Sequence, residues 1–407
     1  MKSNKLLVSA LLILCALVLT GCANNSAMNN NMNWPAMTVE DDTLYTASGP
    51  RLEAVRDGKK VWSYPKEDPG RNAPTFYAEP GFDDSFVFAG TYNNQLYVLS
   101  KTDGSLVSQI EVGGNKNKIL AAPVAAENSL IVISSGGMMS SYPITASGVS
   151  TEANWQTTLS GELWIKPVCV DGTIYAPSLD KKMNLVDLKT GEVKQVISMS
   201  GAVMSDMVLQ DGKLYFTTID KEVNVMDLKS GEIHPLLTTD NEIWASPLLM
   251  NNKVIAADMA GYVYIADIES GKIEWKSEKL TSDKIGFIAA PIALDDETFI
   301  VIDETGKAQT FDLDGKSIQQ RVLELPVYTT PISLGSGSIA VMPMSGDGQI
   351  RAFTADLKED WVYTQTDEPG SAEPTQAAAE QSETAQPETE QPTAQPEQEQ
   401  AEPEKGA

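Results

Sequence analysis

Ser246-Pro247-Leu248-Leu249, Asn251-Asn252, Val254-Ile255-Ala256-Ala257-Asp258, Gly261-Tyr262-Val263-Tyr264-Ile265-Ala266-Asp267, Ser270-Gly271-Lys272 and Ile273-Glu274-Trp275 succeed one another along a single stretch of the chain. The apolar runs are short, rich in β-branched and aromatic residues, and bounded by Asn, Asp, Ser and Gly, so the stretch reads as four strands separated by turns. The same pattern returns about every 40 residues from Pro35 to Tyr363. A four-stranded unit this small cannot bury both faces of its own sheet. Copies must pack on one another, and four strands per unit at this period predict a ring of blades, a β-propeller.

Counting the first strand of each copy gives openings at Pro35, Pro74, Pro123, Pro167, Asp206, Pro247, Pro291 and Pro331. The expected fold is therefore all-β, an eight-bladed propeller of four-stranded blades over residues 34–363. A second landmark is the turn before each outermost strand, at Asp57-Gly58, Asp103-Gly104, Gly148, Thr190-Gly191, Ser230-Gly231, Ser270-Gly271 and Asp314-Gly315, blurring in the eighth copy at Ala355-Asp356-Leu357. Asp-Gly and Ser-Gly suit tight hairpins that need positive φ. No run after the leader has the length and period of a helix.

Residues 1–21 form a lipoprotein signal peptide. Lys2 and Lys5 make a charged n-region, Leu6 to Leu19 an apolar h-region, and Leu19-Thr20-Gly21-Cys22 closes it. That last sequence resembles the bacterial lipobox, which implies that Cys22 is lipidated and becomes the first residue of an exported chain held on the cell envelope, at the outer face of the cytoplasmic membrane or in the outer membrane. With Cys15 removed in the leader and Cys22 lipidated, Cys169 is left alone, so neither a disulfide nor a Cys-based metal site is expected. Cys169 lies within Pro167-Val168-Cys169-Val170, where a small buried hydrophobe is the expected role.

Residues 22–33 carry no charge and little bulk, and read as a tether. Residues 364–407 turn to Glu, Gln, Pro, Ala and Thr, with eleven acids against Lys405, and read as a disordered acidic tail. Without tail and leader the ring still holds about −18 of the formal −26. Nucleic acid is not an expected partner, because phosphate binding needs a basic footprint. The acyl anchor is the only expected membrane contact, and the remaining expected partner is protein.

Asn224-Val225-Met226-Asp227-Leu228-Lys229-Ser230-Gly231-Glu232 and Asn184-Leu185-Val186-Asp187-Leu188-Lys189-Thr190-Gly191-Glu192 resemble the pyrroloquinoline-quinone-type propeller repeat, with Trp62, Trp155, Trp275 and Trp361 at or near its closing tryptophan. An eight-bladed ring directly behind a lipobox is similar to the propeller lipoproteins of the outer-membrane β-barrel assembly machinery. That resemblance implies a non-catalytic scaffold binding a barrel-inserting subunit and nascent outer-membrane chains.

An enzyme fares poorly on the same residues. Resemblance to quinoprotein dehydrogenases would require a vicinal cysteine pair and a calcium constellation, and the lone Cys169 removes the pair. Asp83-Asp84 and Asp295-Asp296-Glu297 fall at turns, Asp312-Leu313-Asp314-Gly315 is only a fragment of a calcium loop, and the single histidine, His234, lies in a different blade from Cys169. No catalytic residue, metal or cofactor is expected.

Three residues before each first-strand landmark stand Met32, Arg71, Leu120, Trp164, Val203, Trp244, Ile288 and Tyr328. Equivalent positions in a ring themselves form a ring, so these should gather at one mouth of the channel. Trp164, Trp244, Ile288, Tyr328 and Leu120 are the candidate binding collar, with packing between blades as the alternative use of the same residues. The sequence thus reads as a membrane-anchored, protein-binding scaffold of envelope or outer-membrane protein assembly. A small-molecule or glycan-binding lipoprotein is the second reading and a quinoprotein-like enzyme the third.

Overall fold

The computed structural model describes residues 36–67, 73–113, 118–282, 285–343 and 349–365. The leader, Cys22, the tether, Met32, Arg71 and all of the tail after Gln365 lie outside these residues. Within them the chain makes eight antiparallel sheets, seven of them wound from four consecutive strands in simple 1-2-3-4 order and the third carrying one extra short strand beside its outermost one. Blade 1 runs over residues 36–64, blade 2 over 81–111, blade 3 over 124–158, blade 4 over 168–198, blade 5 over 208–238, blade 6 over 248–276, blade 7 over 292–322 and blade 8 over 332–363. No helix occurs among the described residues.

Burial within each blade follows the radius of a propeller. First strands of most successive blades touch one another, blade 8 against blade 1 included, so they line the centre. Second and third strands are covered on both faces by neighbouring blades, and Phe86–Gly90 and Val263–Asp267 accordingly carry runs of buried residues with no polar side to alternate with. The fourth strands, such as Val193–Ser198, are mostly exposed. Seven of the eight carry a register shift against the third strand, and a bulge on an outer strand discourages edge-to-edge pairing.

The repeat motif has a mechanical meaning at these outer strands. Its aspartate caps the turn: Asp187 accepts the backbone N–H of Lys189 and Thr190 at 3.0 and 2.9 Å, and Asp227 those of Lys229 and Ser230 at 3.0 and 2.8 Å. Lys194 and these donors hold the Asp187 carboxyl well below the usual carboxylate range. The glycine that follows takes positive φ and receives the closing tryptophan of the preceding blade. Trp62 lies on Gly104, Trp155 on Gly191, Trp275 on Gly315 and, across the seam of the ring, Trp361 on Gly58. The indole N–H of Trp62 donates to the Lys101 carbonyl and that of Trp155 to the Leu188 carbonyl, both at 3.0 Å. A methyl group at Gly315 would come within 2.2 Å of the Trp275 ring, so the glycine is required by the contact as well as by its φ of +82°.

The ring closes without exchanging strands, since each sheet is one contiguous stretch. Met37, Leu44 and Val55 of blade 1 share a core with Ala340, Met342, Ile350 and Tyr363 of blade 8, and the Tyr363 hydroxyl donates to the fully buried Glu53 carboxylate at 2.9 Å.

Three expected landmarks shift. The first strand of blade 2 begins at Gly81, so its proline is Pro80 and not Pro74. That of blade 5 begins at Val208, so Met207 and not Asp206 stands where the other blades have proline. Gly148 pairs with Thr145 in a small extra hairpin of blade 3, and the outermost strand there comes later, at Trp155–Thr158.

Candidate functional site at the channel mouth

In blades 2 to 6 the segment leading into the first strand is fastened to its own blade by a recurring backbone bond. The turn between the second and third strands donates to a carbonyl five residues before the proline position: Tyr92 to Thr75 at 2.9 Å, Ser135 to Lys118 at 2.8 Å, Leu179 to Glu162 at 3.0 Å, Ile219 to Ala202 at 3.1 Å and Met259 to Glu242 at 2.9 Å. These bonds fix the two residues that follow, the first packing inward and the second standing at the mouth. In blades 4, 5 and 6 the inward residues are Leu163, Val203 and Ile243, at most 1% exposed.

With the corrected landmarks, the position three before each first strand's proline is held by Tyr77, Leu120, Trp164, Met204, Trp244, Ile288 and Tyr328, and all seven line one cavity of about 1160 Å³. The five collar residues expected from sequence are thus brought together. Val203 belongs to the inter-blade core, and Met204 takes its place. Arg71 lies outside the described residues, and Tyr77 fills the slot assigned to it. Sequence reasoning missed Tyr77 and Met204, although the matching stretches Gly161-Glu162-Leu163-Trp164 and Gly201-Ala202-Val203-Met204 carry the register that would have found the second.

Among the described residues the exposed aromatic side chains are Tyr92 at 41%, Trp164 at 40% and Trp244 at 41%, and each of them lines this cavity. The remaining large exposed apolar residues sit on blade strands, mostly the outermost. The Trp164 indole donates to Glu162 at 2.8 Å and the Trp244 indole to Glu242 at 3.3 Å, which sets each ring's orientation at the rim. Across from them Tyr77 and Tyr92 meet with ring centroids 5.5 Å apart, and the Lys118 ammonium lies 3.6 Å over the Tyr92 ring.

Two residues further along, the ring of equivalent positions contains Glu79, Lys166 and Asp206. Lys166 of blade 4 meets Glu79 of blade 2 at 3.2 Å and Asp206 of blade 5 at 3.0 Å. Blades 2 and 4 are not neighbours, so this cluster reaches past blade 3 and ties three blades together at the channel. Burial works against the ammonium, but Asp206 and Glu79 outweigh it and raise the Lys166 pKa above the ordinary lysine value.

The other candidates stay apart from this site and from each other. Asp83 accepts the backbone N–H of Ser85 and Phe86 at 2.8 and 2.7 Å, and Asp295 those of Glu297 and Thr298 at 2.8 and 2.7 Å, so both carboxylates cap turns. Cys169 packs against the core between blades 3 and 4, and burial pushes its thiol up to about 12. His234 is exposed on an outer strand of blade 5. Among the described residues no group of three His, Cys, Asp or Glu side chains is placed to hold a metal ion.

Comparison with known proteins adds the lineage. A family model described as outer membrane protein assembly factor BamB matches residues 50–149 and 195–352, well over half of the chain. No curated protein sequence matches it. The crystal structure of BamB from Moraxella catarrhalis superposes with a TM-score of 0.62 at 17% identity, covering 83% of this chain and 96% of that one. The crystal structure of the computationally designed Ika8 protein gives a TM-score of 0.56 at 14% identity over 75% and 90% of the two chains. Identities this low establish shared fold alone, whereas the family model reads the repeats themselves, and on its match the chain belongs to the family of outer membrane protein assembly factor BamB.

Proposed function

We propose that the chain is an exported, lipid-anchored scaffold that captures a protein partner at the mouth of its channel during outer-membrane protein assembly, and that it does so without catalysis. The observation that carries this is the gathering of every exposed aromatic among the described residues into one cavity, since tryptophan and tyrosine held rigidly at a rim are the side chains that most often dominate protein interfaces. The family's description as an outer membrane protein assembly factor supports the setting. Two features favour a protein segment over a small ligand. The cavity exceeds the roughly 300–1,000 Å³ of a typical small-molecule pocket. Its most buried charged groups are already paired with one another, so few free polar groups converge on a common point.

The test is Trp164→Ala together with Trp244→Ala, with unfolding and partner capture measured on the same samples. Photo-cross-linking from position 328 in intact cells, read by mass spectrometry, identifies the partner. Because both indoles are about 40% exposed, the ring should stay folded while capture falls by about 2 kcal/mol or more. Undiminished capture by the double variant, or cross-links to nothing involved in outer-membrane assembly, would overturn the proposal.

A further inference from the structure

Two stretches of the mouth repeat one another: Glu162-Leu163-Trp164 before blade 4 and Glu242-Ile243-Trp244 before blade 6. In each the middle side chain is buried, at 0% and 1%, while carboxylate and indole are exposed together and joined by a hydrogen bond. An indole N–H uses one of about four acceptor positions on a carboxylate, so most of each carboxylate is left to accept from a guest. None of the ion pairs among the described residues involves Glu162 or Glu242. A ring face with a carboxylate at its edge attracts a cation twice, through the π face and through charge. The protein already contains this pairing of cation and ring in Lys118 over Tyr92.

The charge around the cavity points the same way. Glu79, Lys166 and Asp206 together leave one negative charge, Glu162 and Glu242 add two, and Lys118 offsets one, against the background of an acidic ring. An acidic segment, including the chain's own sequence after Gln365, would be repelled. Lys166 ties blades 2, 4 and 5 together inside the channel, and a guest that stops at this level need not thread past it. A loop tip or a chain end enters and leaves by the same mouth and needs no passage through the ring.

We infer that the cavity receives a loop tip or chain end of a protein that presents a lysine or arginine between apolar side chains, the cation lying at the Glu-x-Trp pairs and the apolar groups against Leu120, Ile288 and Tyr328. This rests on the capture of protein at the mouth proposed above, and the two stand or fall on different results. The probe is a capped six-residue peptide with a central lysine between leucines, compared with its norleucine and glutamate counterparts by tryptophan fluorescence titration, with circular dichroism reporting folding of each variant. The lysine peptide should bind about tenfold more tightly than the norleucine peptide, and the glutamate peptide more weakly than either. Glu162→Gln with Glu242→Gln should erase that tenfold difference and leave the norleucine affinity unchanged. Equal binding of lysine and norleucine peptides, or a preference that survives the double glutamine variant, would overturn the cationic guest. If Trp164→Ala with Trp244→Ala still weakens the peptides in that case, the collar stands without it. Peptide binding and partner cross-linking that both ignore the tryptophan substitutions would overturn the two together.

Discussion

Glu53 offers a test of the ring's seam with a calculable size. It lies on the third strand of blade 1, is 0% exposed, accepts from Tyr363 of blade 8 through one oxygen, and has no hydrogen-bond partner at Oε1. Burial raises its carboxyl from 4.5 to about 6, against the opposing influence of the Tyr363 and Ser63 hydroxyls and of Lys60 and Arg51. The sign follows from proton binding. Below pH 4.5 both folded and unfolded chains hold the proton and Glu53 costs nothing. Between the two values the unfolded chain releases it first, so stability falls as pH rises, and above about 6 the full cost is present. A displacement of this size corresponds to roughly 2 kcal/mol. Glu53→Gln keeps the shape and removes the titration. Unfolding free energies of wild type and variant should be measured at pH 4 and pH 7.5, and their difference taken, which cancels the many carboxylates common to both. The wild type should lose roughly 2 kcal/mol relative to Glu53→Gln between the two conditions. A constant offset between the proteins at both pH values would refute the reasoning, whatever the sign of that offset.

Three further outcomes are expected. Gly315→Ala should cost clearly more than Gly172→Ala, because both glycines have positive φ but only the first has the Trp275 ring within 2.2 Å of a new methyl group while the second meets nothing within 4 Å; about 1–2 kcal/mol is expected for backbone conformation alone and more on top for the clash, and calorimetry that ranks them equally would remove the tryptophan contact as an explanation of the motif. Cys22→Ser should abolish lipid labelling and leave the protein unprocessed or released, and mass spectrometry of the mature wild-type chain should find Cys22 at its start. Truncation after Gln365 should move the thermal midpoint by less than about 4 °C, since the sequence removed has no apolar side chain larger than alanine with which to bury surface.

The architecture was legible because it is written in a period, and a period survives local irregularity. All eight blades could be counted although only four keep the closing tryptophan. The errors came where one landmark had two possible bearers. Pro74 and Pro80 lie in the same connection, and the motif alone does not distinguish them, although Pro80 divides the interval from Pro35 to Pro123 more evenly. Met207 occupies a position that is proline in its neighbours, and a polar residue beside it drew the alignment one step off. A shift of one residue in a lead-in segment exchanges a mouth position for a core position, which is why Val203 was expected in the collar and Met204 was not. The five collar residues were accessible because their proline landmarks are unambiguous. The Glu79–Lys166–Asp206 cluster and the buried Glu53 were not accessible in principle from local pattern. The first needs residues 40 and 87 positions from Lys166 to converge at the channel, and the second is an acid in a strand, Arg51–Arg56, whose alternation gives no sign that a neighbouring blade covers it.

Ala36, the first residue of the first strand, itself lines the cavity. The first described residue therefore stands at the mouth and not on the outer edge or the far face of the ring. Fourteen residues connect Cys22 to Ala36, and at full extension they reach no further than about 50 Å. If Cys22 carries the anchor, the mouth is leashed to the bilayer by its own lip: in every orientation the ring can adopt, the edge of the cavity stays within that distance of the membrane surface. Segments that have just crossed a membrane, or are about to enter one, would then be met at the height where they emerge, whereas proteins free in the bulk compartment would have to come to the surface to find it.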